Sequence, residues 1–274
     1  MEPIHLQVSI DKPLIVNTLK GIIGILETIF PGRIRGYYLL GSYANGTAVV
    51  TSDLDITIVF KGHASEQLKE QVWNIGDYAS QFAPIFLDLN PIGEDQLSDA
   101  SEEGFHLRTG SLHLYGEDVR PAIPAIPIDT YIQSRLKAAY YFIVQVARNN
   151  EQTTFPLNFP DPNGEFYGYD NDPIEGRKDT KLLVAIVSQV AAALVAHQAR
   201  VYVPSKYDAI ILYHQHINDE WVELIDDIFT TCRQQWAYRL PDEKPERKKL
   251  RQLCQRVLAF ENYFLGTHPV TAKT

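Results

Sequence analysis

The sequence predicts an α+β chain, in which a small domain with a mixed sheet is followed by an all-α helical bundle. The main observation is that the spacing of apolar residues changes along the chain. Helical and strand-like patterns of apolar residues alternate over residues 1–120, whereas only helical patterns follow. Between them, proline at every third position favours an extended, semi-rigid linker. We therefore predict a mixed-sheet domain over 1–120, a linker over 121–127 and a helical domain over 128–274.

Local patterns define the elements of the first domain. Apolar residues at helical spacing predict a helix that ends at Pro31-Gly32. Runs rich in Ile, Val, Thr and Tyr predict strands. In chain order we expect a helix over 14–30, strands over 34–40 and 54–60, a helix over 66–82, a strand over 84–89 and a weaker element over 105–115.

The second domain is predicted to contain helices over 131–146, 180–199, 205–216, 221–238 and 248–264. Its longest apolar stretch, Leu182–Ala196, has 15 residues. A membrane helix needs about 20, so we predict a buried helix and no membrane contact. The amino terminus lacks the basic start and apolar run of a signal peptide, which predicts a cytoplasmic protein.

Composition and charge bound the class of protein. The 274 residues are 45% hydrophobic and 22% charged, as in ordinary globular proteins. Two cysteines exclude a disulfide scaffold and a cysteine-rich zinc site. A net charge of −9 disfavours nucleic acid as a partner and favours a small or cationic one. A basic run over 244–256 is interpreted as a solvated helix face, with phosphate contact as the alternative.

One segment, 149–177, is too long for an ordinary connection in a compact domain. It interleaves acidic and aromatic residues with several prolines and glycines. Two interpretations stay open. The segment is a solvated surface loop, or it is an acidic, aromatic lip that attracts a cationic ligand through carboxylates and ring faces.

The residues that carry chemistry lie between Gly41 and Asp88. A predicted strand ends in Gly41, which lets backbone approach a ligand closely, and Ser42 follows at a predicted helix start, where free N–H groups favour phosphate. Asp53 and Asp55 are two apart on a predicted strand, so both side chains point to one face. Two carboxylates beside an anion site need a cation between them, and magnesium shares oxygen ligands with nucleotide phosphates. Asp88, in the next predicted strand, could complete the cluster.

This order of Gly41-Ser42, Gly46, Ser52-Asp53-Leu54-Asp55 and a later Asp88 resembles the nucleotidyltransferases of the DNA polymerase β superfamily. The resemblance implies that Asp53 and Asp55 bind magnesium, as two ions, and that Gly41, Ser42 and Ser52 contact a nucleoside triphosphate. Asp88 would be a metal ligand or the base that activates an acceptor hydroxyl. Both alternatives stay open.

The succession of the two domains is similar to the bacterial aminoglycoside adenylyltransferases of the streptomycin and spectinomycin group. The segment Val203-Pro204-Ser205-Lys206 resembles the turn whose lysine reaches the triphosphate there, which implies that role for Lys206. Two departures stand out: the third carboxylate is Asp88 where that group often has glutamate, and segment 88–116 is short. The tryptophan that stacks on streptomycin has no counterpart that we can place.

The resemblance predicts transfer of AMP from ATP onto a hydroxyl of a small, cationic molecule such as an aminoglycoside, with release of pyrophosphate. An acceptor on a protein or a tRNA is the first alternative. A non-catalytic nucleotide-binding module is the second, and it is disfavoured because Asp53, Asp55 and Asp88 are all present.

Overall fold

The computed structural model of the chain describes residues 3–149, 154–171 and 176–268. The chain divides into two compact units, with the boundary between Pro127 and Ile128. The first unit holds a sheet and helices, and the second is built from helices. The predicted α+β class is confirmed.

The sheet of the first unit has four strands in the order β3-β2-β1-β4. β1 pairs antiparallel with both β2 and β4, while β2 and β3 run parallel, so the sheet is mixed. The strands are β1 Ile34–Leu39, β2 Leu54–Phe60, β3 Leu87–Gly93 and β4 Leu112–Gly116.

Four α-helices accompany this sheet: α1 Pro13–Ile29, α2 Gly41–Ala44, α3 Glu66–Ser80 and α4 Glu102–Gly110. The apolar faces of α1 and α3 pack with Leu54, Ile56 and Ile58 of β2 in one core. A smaller cluster, which includes Tyr38 and Val59, lies on the opposite face. Because side chains alternate along a strand, Asp55 is on the face opposite the α1 and α3 core.

Two elements of the first unit differ from the prediction. β3 continues to Gly93 through Pro91, although proline ends most strands. Proline is tolerated here because β3 is an edge strand, where a missing N–H costs no ladder hydrogen bond. The weak element expected over 105–115 is α4 followed by β4, and this change of period within a few residues explains the weak pattern.

Segment 121–127 is less free than a linker of its composition suggests. Pro121 and Ala122 lie in a short 3₁₀ turn, Arg120–Ala122. Ile123 and Ile126 are buried, and Ile123 belongs to the smaller core cluster of the first unit. The isoleucines between the prolines therefore anchor part of this segment by burial of apolar surface.

The second unit has the helices α5 Ile128–Tyr140, α6 Lys181–Ala199, α7 Lys206–His216, α8 Val222–Asp227 and α9 Lys244–Thr267. π-helical stretches, Tyr141–Val146 and Ile228–Gln235, extend α5 and α8. α6 contacts all four other helices and is buried along most of its length. It is long and apolar enough to cross a membrane by length and composition alone, but most of its apolar stretch is buried within the protein.

Candidate active site

The Gly41-Ser42 turn lies directly after β1 and against the start of β2. The N–H of Leu40 donates to the backbone oxygen of Asp55 at 2.9 Å, which ties the end of β1 to β2. The return loop closes on itself, because the Thr47 N–H donates to the Ser42 oxygen at 2.9 Å. Local hydrogen bonds therefore hold the turn in place before any ligand arrives.

Gly41 has no tolerable substitute at this turn, for two reasons. Its φ angle of +63° lies in the left-handed region, which residues with a side chain rarely adopt. A Cβ built on Gly41 would also overlap the Oδ2 atom of Asp55. The carboxylate of Asp55 thus sits directly over the turn, in the space that a side chain would fill.

The three candidate carboxylates lie along neighbouring strands. Asp55 and Asp88 are register partners in the parallel pair of β2 and β3, so they lie on the same face of the sheet. Asp53 precedes β2 by one residue. Asp53 and Asp55 are half-buried, and Asp88 is exposed. The structure therefore brings Asp55 and Asp88 side by side at the sheet end that also carries the turn.

The donor set fits a hard divalent cation, because carboxylate oxygens are the ligands that magnesium prefers. Within the part of the chain that the structure describes, no group of three or more His, Cys, Asp and Glu side chains is arranged to hold a metal ion. Magnesium usually takes one or two carboxylates together with substrate phosphates, so a complete protein cage is not required. The residues are compatible with a metal that binds together with nucleotide.

The two serines of the motif differ in their surroundings. Ser42 is half-buried in α2, and α2 has only four residues, so its dipole is much weaker than the sequence pattern suggests. Ser52 is buried, and its Oγ accepts a hydrogen bond from the Val49 N–H at 2.9 Å. Ser42 therefore remains open to a ligand, whereas Ser52 shapes the loop that leads to Asp53.

Two further residues that the motif did not indicate, Lys12 and Tyr43, lie at the turn. The ammonium of Lys12 lies 5.1 Å from the centre of the Tyr43 ring. Burial and, to a lesser extent, the charge of Asp53 raise the pKa of Tyr43. Lys12 is 31 residues before Tyr43 in the chain, so no local pattern could have indicated the contact.

Lys206, the remaining candidate, belongs to the second unit and is the exposed first residue of α7. The turn before it is well held. The N–H of Asp208 donates to the Ser205 Oγ at 3.1 Å, which caps α7. The hydroxyl of Tyr131 accepts a hydrogen bond from the Val203 N–H and donates one to the Val203 oxygen, each at 3.0 Å.

The described part of segment 149–177 differs from both interpretations, because several of its rings and charges are packed or paired within the second unit. Phe166 and Tyr169 are buried in the core of the second unit, and Phe159 stacks on Tyr167 with ring centres 4.1 Å apart. Glu165 pairs with Arg247 and Arg251 of the basic run, at 2.8 Å and 3.3 Å. These rings and charges are thus engaged within the protein. Glu151, Asp172 and Glu175 lie outside the described residues.

Comparison with known proteins agrees with this geometry. Residues 19–103 match the family described as nucleotidyltransferase domain. A spectinomycin adenyltransferase, AAD(9) from Enterococcus faecialis, solved with ATP and spectinomycin, has a similar fold. The TM-score is 0.57 at 11% identity, over 90% of this chain and 98% of that one.

Two further structures resemble less of the chain. A toxin-antitoxin complex with AMP-PNP covers 45% of this chain and 93% of its own, at 20% identity and a TM-score of 0.30. A toxin-antitoxin complex named MntA-HpeT has the same coverage and TM-score at 17% identity. No curated protein sequence matches the chain. The family match includes the turn and all three carboxylates, so residues 19–103 are the part of the chain that matches a nucleotidyltransferase domain.

Proposed function

We propose that this enzyme moves AMP from ATP onto a hydroxyl of a small, cationic acceptor such as an aminoglycoside, and releases pyrophosphate. The observation that carries the proposal is the contact between the Gly41-Ser42 turn and the Asp55 carboxylate. A turn suited to phosphate stands beside carboxylates suited to magnesium, so a metal-bound nucleotide could touch both.

Asp53 and Asp55 would hold magnesium, as two ions, when nucleotide binds. When bound, the ions neutralise charge on the phosphates and on the leaving pyrophosphate. The hydroxyl of Ser42 would donate a hydrogen bond to a phosphate oxygen. The Gly41 backbone would let the triphosphate approach the turn closely, since no Cβ intervenes. Ser52 would keep the loop before Asp53 in shape, and for Lys206 we retain the triphosphate contact that the sequence resemblance implies.

In the reaction, the acceptor oxygen forms a bond to the α-phosphorus. The bond from that phosphorus to the oxygen bridging to the β-phosphorus breaks, and pyrophosphate leaves with the electron pair. We assign the proton of the acceptor hydroxyl to Asp88, because it is exposed on the edge strand and is the register partner of Asp55. A general base contributes about 10² to 10⁴ in rate when it lies within hydrogen-bond reach of the hydroxyl.

A small cationic acceptor is favoured over a macromolecule by two observations. The chain has a net charge of −9, which attracts cations and repels RNA. The basic run near the carboxyl end was the feature in favour of RNA, yet Arg247 and Arg251 pair with Glu165, and Arg256 pairs with Asp227. The similar AAD(9) structure holds ATP and spectinomycin, which supports the same two classes of ligand here. We propose that the enzyme acts in the cytoplasm.

The test is pyrophosphate release from Mg-ATP in the presence of a panel of aminoglycosides, spectinomycin and uncharged polyols. We expect release that depends on one cationic acceptor and falls at least about 100-fold in Asp53→Asn, since a metal ligand is removed. Asp77→Asn is the matched control, because Asp77 is an exposed carboxylate on α3. It should leave the rate unchanged.

Other outcomes have definite meanings. Binding of Mg-ATP without release for any member of the panel would exclude a small acceptor of these classes and favour a protein or tRNA. Retention of full activity in Asp53→Asn would overturn the assigned metal site. Failure to bind nucleotide at all would overturn the proposed function.

A further inference from the structure

The segments that build the active site contain almost no positive charge. Residues 36–60, which include the turn, Asp53 and Asp55, have neither lysine nor arginine. Residues 70–107, which include Asp88, have none either. A nucleoside triphosphate carries about four negative charges, and positioned cations are a principal means of holding such groups. Any cationic side chain that the first unit adds to the proposed magnesium ions and Lys206 must therefore come from another part of its sequence.

The structure brings Lys12 to this place. Its ammonium lies 5.1 Å from the centre of the Tyr43 ring, and Tyr43 directly follows Ser42 in the phosphate-binding turn. The ammonium thus lies beside the residue that follows Ser42, and Tyr43 itself packs against the α1 and α3 core. A triphosphate with its α-phosphorus at the carboxylates would extend its other phosphates toward the turn, and so toward Lys12.

The backbone of Lys12 is well anchored. Its oxygen accepts from the Val16 N–H at 3.1 Å at the start of α1. The preceding residues pack on the core through Ile4, Leu6, Val8 and Ile10, and the Gln7 N–H donates to the Leu114 oxygen at 2.9 Å. The side chain itself is exposed. A fixed backbone with a long, mobile ammonium is what a phosphate clamp requires, because the ring contact can be exchanged for phosphate oxygens.

We propose that Lys12 is a triphosphate-binding residue of this enzyme, which contacts the β- and γ-phosphates at the Gly41-Ser42 turn and stays with pyrophosphate as it leaves. The inference rests on the proposed function, because it presumes a nucleoside triphosphate at the turn. Tyr43 acts as a positioning residue, since its ring holds the ammonium beside the turn before nucleotide binds.

The test is calorimetric binding of Mg-ATP, AMP and magnesium pyrophosphate to the whole enzyme without acceptor. For Lys12→Met we expect the Kd of ATP and of pyrophosphate to rise about tenfold or more, the loss typical of a charged hydrogen bond. The Kd of AMP should change less than about twofold, because AMP has no β- or γ-phosphate. Lys12→Arg should restore most of the affinity for ATP, since it keeps the charge.

Lys20→Met is the matched control, because Lys20 is an exposed lysine of α1, the helix that begins directly after Lys12. It should bind all three ligands as the wild type does. An equal loss of AMP and ATP affinity in Lys12→Met would point to a distorted turn and overturn the proposal. Unchanged ATP affinity would overturn it as well.

The failure of this inference and the failure of the proposed function are distinguishable. If the wild type binds Mg-ATP and releases pyrophosphate while Lys12→Met does both equally well, only the role of Lys12 falls. If the wild type binds neither ATP nor pyrophosphate, the proposed function falls and the role of Lys12 falls with it.

Discussion

At the scale of single residues, the proposed chemistry depends on the position of the Asp55 carboxylate, which the absence of a side chain at Gly41 permits. We expect Gly41→Ala to lower the free energy of unfolding by about 1–2 kcal/mol, the cost of a side chain in left-handed backbone. It should also reduce pyrophosphate release more than about tenfold, because the new Cβ displaces the Asp55 carboxylate. Urea denaturation and the release assay measure the two effects.

Gly46→Ala is the control for Gly41→Ala, because it introduces backbone strain without displacing the Asp55 carboxylate. Gly46 also has a positive φ, +74°, but a Cβ there meets nothing within 4 Å. This variant should lose similar stability and keep most of its activity. Equal loss of activity in both variants would contradict the steric account of Gly41.

Substitution of Asp88 distinguishes its two possible roles, as the base or as a metal ligand. If Asp88 accepts the proton, Asp88→Asn should lower kcat by about 10² to 10⁴ while the magnesium concentration for half-maximal rate stays unchanged. Asp53→Asn serves as the comparison, because loss of a metal ligand should shift that concentration upward. A magnesium dependence shifted as far in Asp88→Asn would identify Asp88 as a ligand instead.

A buried thiol predicts how stability depends on pH. Burial raises the pKa of Cys232 to about 12 in the folded protein. The unfolded chain then loses this proton at lower pH than the folded one, so stability falls as pH rises from about 9 to 12, by about 1.4 kcal/mol per pH unit. Urea denaturation between pH 7 and 11 should show a shallower decline for Cys232→Ala. Identical declines would rule out this contribution.

At the scale of elements, a buried ion pair holds the long loop of the second unit. Glu261 of α9 is fully buried and accepts from Arg148 at 2.6 Å and from the Tyr169 hydroxyl at 2.7 Å. Arg148 also donates to the backbone oxygen of Asn158 at 3.0 Å. Three segments that are remote in sequence are thus joined through one carboxylate.

Removing one partner of this pair leaves a buried charge. We expect Glu261→Leu to lower the free energy of unfolding by about 3–5 kcal/mol, and the double variant with Arg148→Met to recover much of it. Arg200→Met is the control, since the pair of Arg200 with Asp129 is exposed at the surface and should contribute far less to stability. Equal stability of the Glu261→Leu single and double variants in urea denaturation would contradict this account.

At the scale of the whole molecule, we propose that residues 1–120 and 128–274 are independently cooperative domains joined by 121–127. Each unit has its own apolar core, around Leu26 in the first and Val190 in the second. Leu26→Ala should lower the stability of the first unit by about 2–5 kcal/mol, the usual cost of a cavity in a core. Val190→Ala should destabilise the second.

Hydrogen exchange followed by mass spectrometry measures the two units separately within the intact chain. Each variant should accelerate exchange of the slowest amides in its own unit and leave those of the other unchanged. Acceleration in both units by either variant would show one cooperative body and contradict the proposed division.

The sequence by itself determined the class of the fold and the order of most elements, and it predicted the turn and carboxylates of the candidate site. These features depend on periodic burial of apolar side chains and on a motif contained in adjacent residues, which are local properties of a chain. The short α2, the strand through Pro91 and the π-helical ends of α5 and α8 departed from the local patterns because pairing and packing with neighbours overrode local preference.

Only the tertiary structure decided which distant residues meet. Lys12 lies on Tyr43, Glu165 pairs with Arg247, and Arg148 lies against Glu261, 113 residues away. A charged residue looks the same in sequence whether it faces water or a partner. Its role is set by the packing that excludes water around it, and that packing exists only when remote segments come together.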